Sequence, residues 1–260
     1  MEHHASDQIQ PTGTLLSMKD MPWLVVLLLL FLEPPSVPAV LFYSTAEANH
    51  NTTAPTGTLT NSGWESQGFW GNFLGTTVAP QYFITAEHVG GSVGNVFTFQ
   101  GVDYWTSAVF DDPDSDLRIW RINGRFPLWT ELYTKNDEVG KDVVVFGRGT
   151  QRGDEVTVSK PNGSTLKGWR WGAADGRQRW GQNQVGSIVT NGVGQIGGGT
   201  GIGVGELLEL PFNAGAGADE AALSEGDSAA GVFIKDGSAW KLAGINYAVD
   251  GPYSTILDYE

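Results

Sequence analysis

Tyr82-Phe83-Ile84-Thr85-Ala86-Glu87-His88 is an apolar, β-forming run that ends on a histidine. Branched and aromatic side chains favour extended backbone because they pack well on a pleated surface. The run is short and shows no sustained 3.6-residue apolar period, and similar short runs recur between Gly, Asn and Asp clusters along the chain. Working outward, the pattern predicts strands over 68–78, 82–87, 95–100, 103–110, 116–122 and 141–147. Six strands in so short a stretch suit a small closed barrel, and Gly147 to Gly149 ends the set. A second set is predicted over 154–159, 166–171, 184–190, 206–211, 230–235, 240–247 and 253–258. The expected fold class is all-β: two tandem antiparallel barrels, the first over about 64–150 and the second over about 151–258.

Composition agrees with this reading. The chain has 260 residues, with 36 glycines, 10 tryptophans and only 17% charged residues, enough for one large β domain or two small ones. The formal net charge of -14 argues against nucleic-acid binding, which needs basic patches to displace counterions. Solubility is the plainer meaning of the acidity. There is no cysteine, so the core must hold the fold without disulfides, which points to a bacterial product. The glycine-rich stretch 192–205 does not follow the G-x-G-x-x-G pattern that opens a nucleotide-binding helix; it reads as a turned or flexible loop.

Trp23 to Leu32 is a ten-residue apolar run, too short to cross a bilayer of ~30 Å as a helix. Lys19 precedes it, Pro34, Pro35 and Pro38 follow, and Val37-Pro38-Ala39 supplies the small residues of a cleavage site. Residues 1–39 therefore read as a leader and secretory signal peptide cut after Ala39, with an uncleaved anchor as the alternative. The expected product is secreted or periplasmic, monomeric and not inserted in a membrane. Acidic residues and two histidines before Met18 suggest that translation starts there, not at Met1. Residues 40–62 read as a linker or short propeptide, leaving 63–260 as the folded domain. Asn51-Thr52-Thr53 and Asn162-Gly163-Ser164 match the glycosylation pattern but read as chance matches in a bacterial chain.

Three places carry chemistry. His88 is the one histidine of the expected domain, since His3 and His4 lie in the leader and His50 in the linker. Without partner His or Cys it cannot build a His-rich zinc site, and no metal or cofactor is expected. Gly226-Asp227-Ser228 lies between an acidic loop and the apolar strand Gly231-Val232-Phe233-Ile234. Glycine there lets successive N–H groups point into one space, where a developing oxyanion could be held at about 3–4 kcal/mol per donor. Asp116 closes the acidic stretch Asp111-Asp112-Pro113-Asp114-Ser115-Asp116 and opens a strand of bulky residues that could carry its carboxylate inward. Each alone has a plainer reading: a turn histidine, a turn before a strand, a strand-capping Asp.

Together these places resemble the trypsin/chymotrypsin family of serine proteases. Thr85-Ala86-Glu87-His88 is similar to its Thr-Ala-Ala-His, Asp116-Leu117-Arg118-Ile119 to its Asp-Ile-Ala-Leu, and Glu225-Gly226-Asp227-Ser228-Ala229-Ala230-Gly231 to its Gly-Asp-Ser-Gly-Gly-Pro. The order His, Asp, Ser is also the family's. Phe146-Gly147-Arg148-Gly149, Leu242-Ala243-Gly244-Ile245 and Gly251-Pro252-Tyr253-Ser254 add weaker likeness, and the whole covers about residues 64–258. The resemblance implies two six-stranded barrels with the active site in the cleft between them. It implies a serine endopeptidase acting on protein or peptide substrates through an acyl-enzyme. Ser228 would be the nucleophile, His88 the general base and Asp116 the group that orients it, with the Gly226 and Ser228 amides as oxyanion hole.

The departures matter equally. Glu87 stands where the family has a small residue, and a buried Glu needs a partner. Ala229 and Ala230 replace two glycines, and their Cβ atoms would crowd a turn needing φ > 0. The family's Ile-Val-Gly-Gly amino terminus, whose amine pairs with the Asp before the nucleophile, is missing. Asp227 therefore needs another partner, and no trypsin-like zymogen switch is expected. By resemblance the specificity pocket has Ala222 at its floor and Tyr247, Ala248, Val249 and Gly251 as walls. That predicts small or medium apolar side chains instead of Lys or Arg. The competing readings are a catalytically inactive relative used for binding, and a carbohydrate-binding domain suggested by Trp169, Trp171 and Trp180.

Overall fold

The computed structural model describes residues 40–190, 193–194, 202–249, 251 and 253–257, with only the backbone described at 193–194, 202–203 and 257. The leader, the expected signal peptide with its cut after Ala39, and most of the glycine-rich loop lie outside the described residues. Among the described residues no helix is long and apolar enough to cross a membrane.

The first lobe is a closed barrel. Its strands are β2 (Gln67–Trp70), β3 (Phe73–Ala79), β4 (Tyr82–Ala86), β5 (Val96–Phe99), β6 (Val102–Asp111) and β7 (Leu117–Ile122), in the order β2-β3-β4-β7-β6-β5. All its pairings are antiparallel. Aromatic rings fill the inside: Phe83 stacks on Phe97 at 3.9 Å, and Trp70, Phe99, Trp120 and Phe126 complete the cluster. The strand expected over 68–78 is two strands. Gly71, at φ 58, makes the tight turn between β2 and β3, a conformation glycine adopts without penalty.

The second lobe contains β1 (Leu41–Phe42), β8 (Asp142–Gly147), β9 (Thr150–Lys160), β10 (Gly163–Ala174), β11 (Arg179–Gln184) and β12 (Ser187–Val189), then β13 (Val193–Gly194) and β14 (Ile202–Gly203). It continues with β15 (Leu207–Glu209), β16 (Phe212–Asn213), β17 (Ala221–Ala222), β18 (Gly231–Asp236), β19 (Ala239–Ile245) and β20 (Tyr253–Leu257). Two four-stranded sheets, β11-β8-β18-β19 and β16-β20-β10-β9, form its frame, with two-stranded pieces between them. One ladder, β16 with β20, is parallel.

The two-lobed β architecture is the expected one, with a different division of strands. The run 141–147 was assigned to the first barrel, but β8 pairs with β11 and β18 in the second lobe. Its four residues Val143 to Phe146 are apolar and buried, Val143 and Val145 in one cluster and Val144 and Phe146 in another. A strand buried on both faces loses the alternation that would show which lobe it serves. The second of those clusters also contains Leu74 and Ile84 of the first barrel, so it is the core shared by the two lobes.

Residues 40–62 do not form a free linker. Leu41 and Phe42 pair with Ala222 and Ala221, the carbonyl of Thr53 accepts the Trp180 indole N–H at 2.8 Å, and His50 meets Asp219 at 2.9 Å. Val40, Leu41 and Phe42 are buried. This apolar trio is the seam between that stretch and the core.

Candidate active site

β4 ends at Ala86, and a single 3-10 turn, Glu87–Val89, carries His88 off the strand. Asp116 comes from the residue just before β7, the neighbour of β4 in the barrel. The amide of Glu87 donates to the Asp116 carbonyl at 2.7 Å, which fixes the two backbones together. The Asp116 carboxylate then holds His88 twice: Oδ2 lies 2.6 Å from ring Nδ1, and Oδ1 accepts the His88 backbone N–H at 3.0 Å. Both side chains are largely but not fully buried, at 19% and 15% exposure. With Nδ1 engaged, Nε2 is the ring nitrogen left to face a reacting group.

Glu87 finds its partner in Arg118, whose guanidinium lies 3.4 Å from the Glu87 carboxylate and also bonds Asp111 at 2.5 Å. The hydrogen bond to Asp111 raises the Arg118 pKa further above its ordinary value. Glu87 is therefore balanced on the outer side of the barrel.

On the second lobe, Gly226-Asp227-Ser228 forms a tight turn ahead of β18. Gly226 has φ 91 and Ala229 has φ 69, so the turn that bears Ser228 does need the left-handed conformation, at a residue with a Cβ. That conformation costs an L-residue about 1–2 kcal/mol. Ala229 is fully buried and its N–H donates to the Asn246 carbonyl at 2.8 Å, and such packing is what sustains local strain. Gly149 presses on the same turn: a Cβ there would lie 2.2 Å from the Glu225 carbonyl oxygen and 2.6 Å from the Asp227 nitrogen.

The partner required by Asp227 is the main chain together with one hydroxyl. Gly149 N–H donates to Oδ1 at 2.7 Å, and the Ser224 N–H and Oγ–H donate to Oδ2 at 2.7 and 2.8 Å. Burial pushes this carboxyl up to about 6, against the pull of those hydrogen bonds.

Ser228 is half-buried, and its hydroxyl hydrogen-bonds neither His88 nor any other described group. Nucleophile–base contacts commonly tighten only when substrate is bound. The two lobes nevertheless meet here. The Tyr247 ring stands edge-on to His88 at 5.8 Å, and the adjacent Asn246 is bonded to the Ser228 turn. Burial and the Asp116 charge raise the pKa of Tyr247.

A cavity of about 870 Å³ opens next to Asp116, between the 112–117 segment and the second lobe. Ala222, Tyr247, Ala248 and Val249 line it, whereas Gly251 is exposed and is not part of its lining. Sequence reasoning missed Leu207, Leu210 and Phe212, which also line it. The lining includes Asp112, Asp114, Asp116, Glu206 and Glu209 and no basic residue. No group of acids, His or Cys among the described residues could hold a metal ion. Trp169 and Trp180 are buried, and Trp171 is half-buried against the Trp169 cluster. No row of exposed rings is available there to stack on a sugar.

A closed six-stranded barrel bearing the histidine and aspartate is followed by a β lobe bearing the Gly-Asp-Ser turn. The fold is chymotrypsin-like. No protein-family model and no curated protein matches the sequence. Among solved structures, the chain is similar to Rv3671c from M. tuberculosis H37Rv in an inactive mutant. Identity is 16% over 70% of this chain and 78% of that one, with a TM-score of 0.45. It is similar also to the murine norovirus NS6 protease, an inactive mutant with an extended C-terminus. There identity is 16% over 74% of this chain and 90% of that one, with a TM-score of 0.41. These likenesses carry no part of the functional reading.

Proposed function

We propose that this chain is a serine endopeptidase. The observation that carries the reading is the double hold of Asp116 on His88, with Tyr247 edge-on to that ring and its chain neighbour Asn246 bonded to the turn that bears Ser228. A carboxylate on Nδ1 keeps the proton there and leaves Nε2 as the base. In this reading Nε2 takes the Ser228 hydroxyl proton as Oγ attacks the scissile carbonyl carbon. The carbonyl oxygen becomes an oxyanion held by the Gly226 and Ser228 amides. His88 then gives its proton to the leaving amine, and water repeats the sequence on the acyl-enzyme. The apolar part of the cavity wall, with Ala222, Leu210, Phe212 and Val249, supports small or medium apolar side chains next to the cleaved bond. The apolar run before Ala39 supports export of the product.

The test is hydrolysis of an unfolded protein by the wild type, abolished by Ser228→Ala. The second reading, an inactive binding relative, draws on the left-handed Ala229 beside the nucleophile. A fluorophosphonate probe separates the two: labelling at Ser228 supports the enzyme, and an unlabelled, folded protein supports the binder.

A further inference from the structure

Asn246 is 3% exposed and touches the nucleophile turn on both sides of Ser228. Its backbone N–H donates to the Ala230 carbonyl at 2.9 Å and its carbonyl accepts the Ala229 N–H at 2.8 Å. Its side-chain Nδ2 donates to the Phe146 carbonyl at 2.7 Å and to the Asp227 carbonyl at 2.9 Å. An amide nitrogen has two hydrogens, and here each has an acceptor. The orientation of the amide is thereby fixed, because the flipped form would face an oxygen towards two carbonyls.

The Asp227 carbonyl belongs to the same peptide plane as the Ser228 N–H. No described peptide bond is cis, and in a trans peptide these two groups point in opposite directions. Gripping the carbonyl inward therefore turns the Ser228 N–H outward, away from Asn246. None of the described acceptors takes that N–H. The same carbonyl also accepts the Ala230 N–H within the turn, at the longer distance of 3.3 Å. Among the described residues outside the turn, Asn246 is the one that holds this plane, and the next residue, Ala229, is strained.

We propose that Asn246 is a positioning residue for the oxyanion hole: its side-chain amide orients the Ser228 N–H through the Asp227 carbonyl. The inference rests on the serine-protease reading. It assigns to Asn246, which also lines the cavity beside Asp116, a role exerted through the turn and not on the reacting atoms.

The experiment compares wild type, Asn246→Ala, Ala229→Gly and the double variant. It measures kcat and KM on a peptide substrate, the inhibition constant of a peptide aldehyde of the same sequence, and the Tm. Loss of an oxyanion donor costs about 100- to 1,000-fold in kcat, so a misaimed donor in Asn246→Ala should cost at least about 10-fold. KM should stay within about 3-fold, and aldehyde affinity should fall in step with kcat, because only the aldehyde adduct develops the oxyanion. Glycine at 229 relieves the strained turn and so restores folding in the double variant. The inference predicts that the Tm recovers while kcat and aldehyde affinity stay low. It is overturned if kcat recovers together with the Tm, or if Asn246→Ala folds with unchanged kcat and aldehyde affinity. A wild type that neither hydrolyses peptides nor reacts with fluorophosphonate overturns the protease reading itself, and this inference with it.

Discussion

The carboxylate of Asp116 spans the side chain and the main chain of His88, with Oδ2 2.6 Å from Nδ1 and Oδ1 accepting the backbone N–H at 3.0 Å. One group thus sets both where the ring sits and which nitrogen carries the proton. Asp116→Asn can keep one acceptor but presents an amide, not a charge, to the imidazolium. A fall of roughly 10⁴-fold in kcat is expected, with little change in Tm. Steady-state kinetics and calorimetry on the two proteins would check it; an unchanged kcat would remove Asp116 from this role.

Gly149 and the 225–227 turn touch backbone to backbone. Gly149→Ala puts a methyl 2.2 Å from the Glu225 carbonyl oxygen, which no side-chain rotation can relieve. Overpacking of this kind costs about 3 kcal/mol, or a Tm lower by about 6–12 °C for a domain this size. Labelling of Ser228 by fluorophosphonate should be lost at temperatures where the variant is still folded. Calorimetry and a labelling time course would decide it.

Glu220 is buried, with its Oε1 accepting the Asn213 N–H, and burial pushes its carboxyl from 4.5 up to about 7. Between those values the folded chain holds a proton that the unfolded chain releases, so this group's contribution to stability declines as pH rises through the window. Asp227, raised from 3.8 to about 6, acts with the same sign over its own window. The Tm should therefore fall between about pH 4 and 7. Glu220→Gln, which has no proton to lose, should flatten that decline while matching the wild type near pH 4. Identical pH slopes for the two proteins would show that Glu220 is not the cause.

The cavity beside Asp116 has five acids in its lining and no base. A peptide with an apolar residue at the cleaved bond and Lys nearby should be hydrolysed about 10-fold faster than the same peptide with Glu. The gap should shrink in about 0.5 M salt, where the screening length falls well below the ~10 Å found near 0.1 M. Asp112→Asn with Glu206→Gln should narrow it as well. Equal rates for both peptides at low salt would dismiss charge selection.

The first barrel was legible because short apolar runs recur between turns that carry glycine, although the Gly71 turn was hidden inside one apolar stretch. β8 was misplaced because five consecutive buried residues carry no directional pattern. His88 and Asp116 were legible as ends of neighbouring strands, and the need for φ > 0 at Ala229 could be raised from its neighbours. The partners were not legible. Arg118 for Glu87, Gly149 for Asp227, and Asn246 for the turn bearing Ser228 are set by the packing of elements distant in the chain, and Ser224, three residues before Asp227, by the fold of the loop itself. The placement of residues 40–62 escaped for the same reason: polar composition hid a three-residue apolar seam.

That seam has a consequence for how the molecule is assembled. Leu41 pairs with Ala222, about 180 positions later, so this contact of the second lobe unites the start of the described chain with a segment far along it. Bringing such remote segments together is slow because ordering is lost before any contact rewards it. During synthesis the first barrel, complete by residue 122, can close while the opening segment is still waiting for its mate. Competence is thereby delayed until nearly the whole polypeptide exists, and a fragment ending before β17 would expose Val40, Leu41 and Phe42 as an adhesive, partnerless strand.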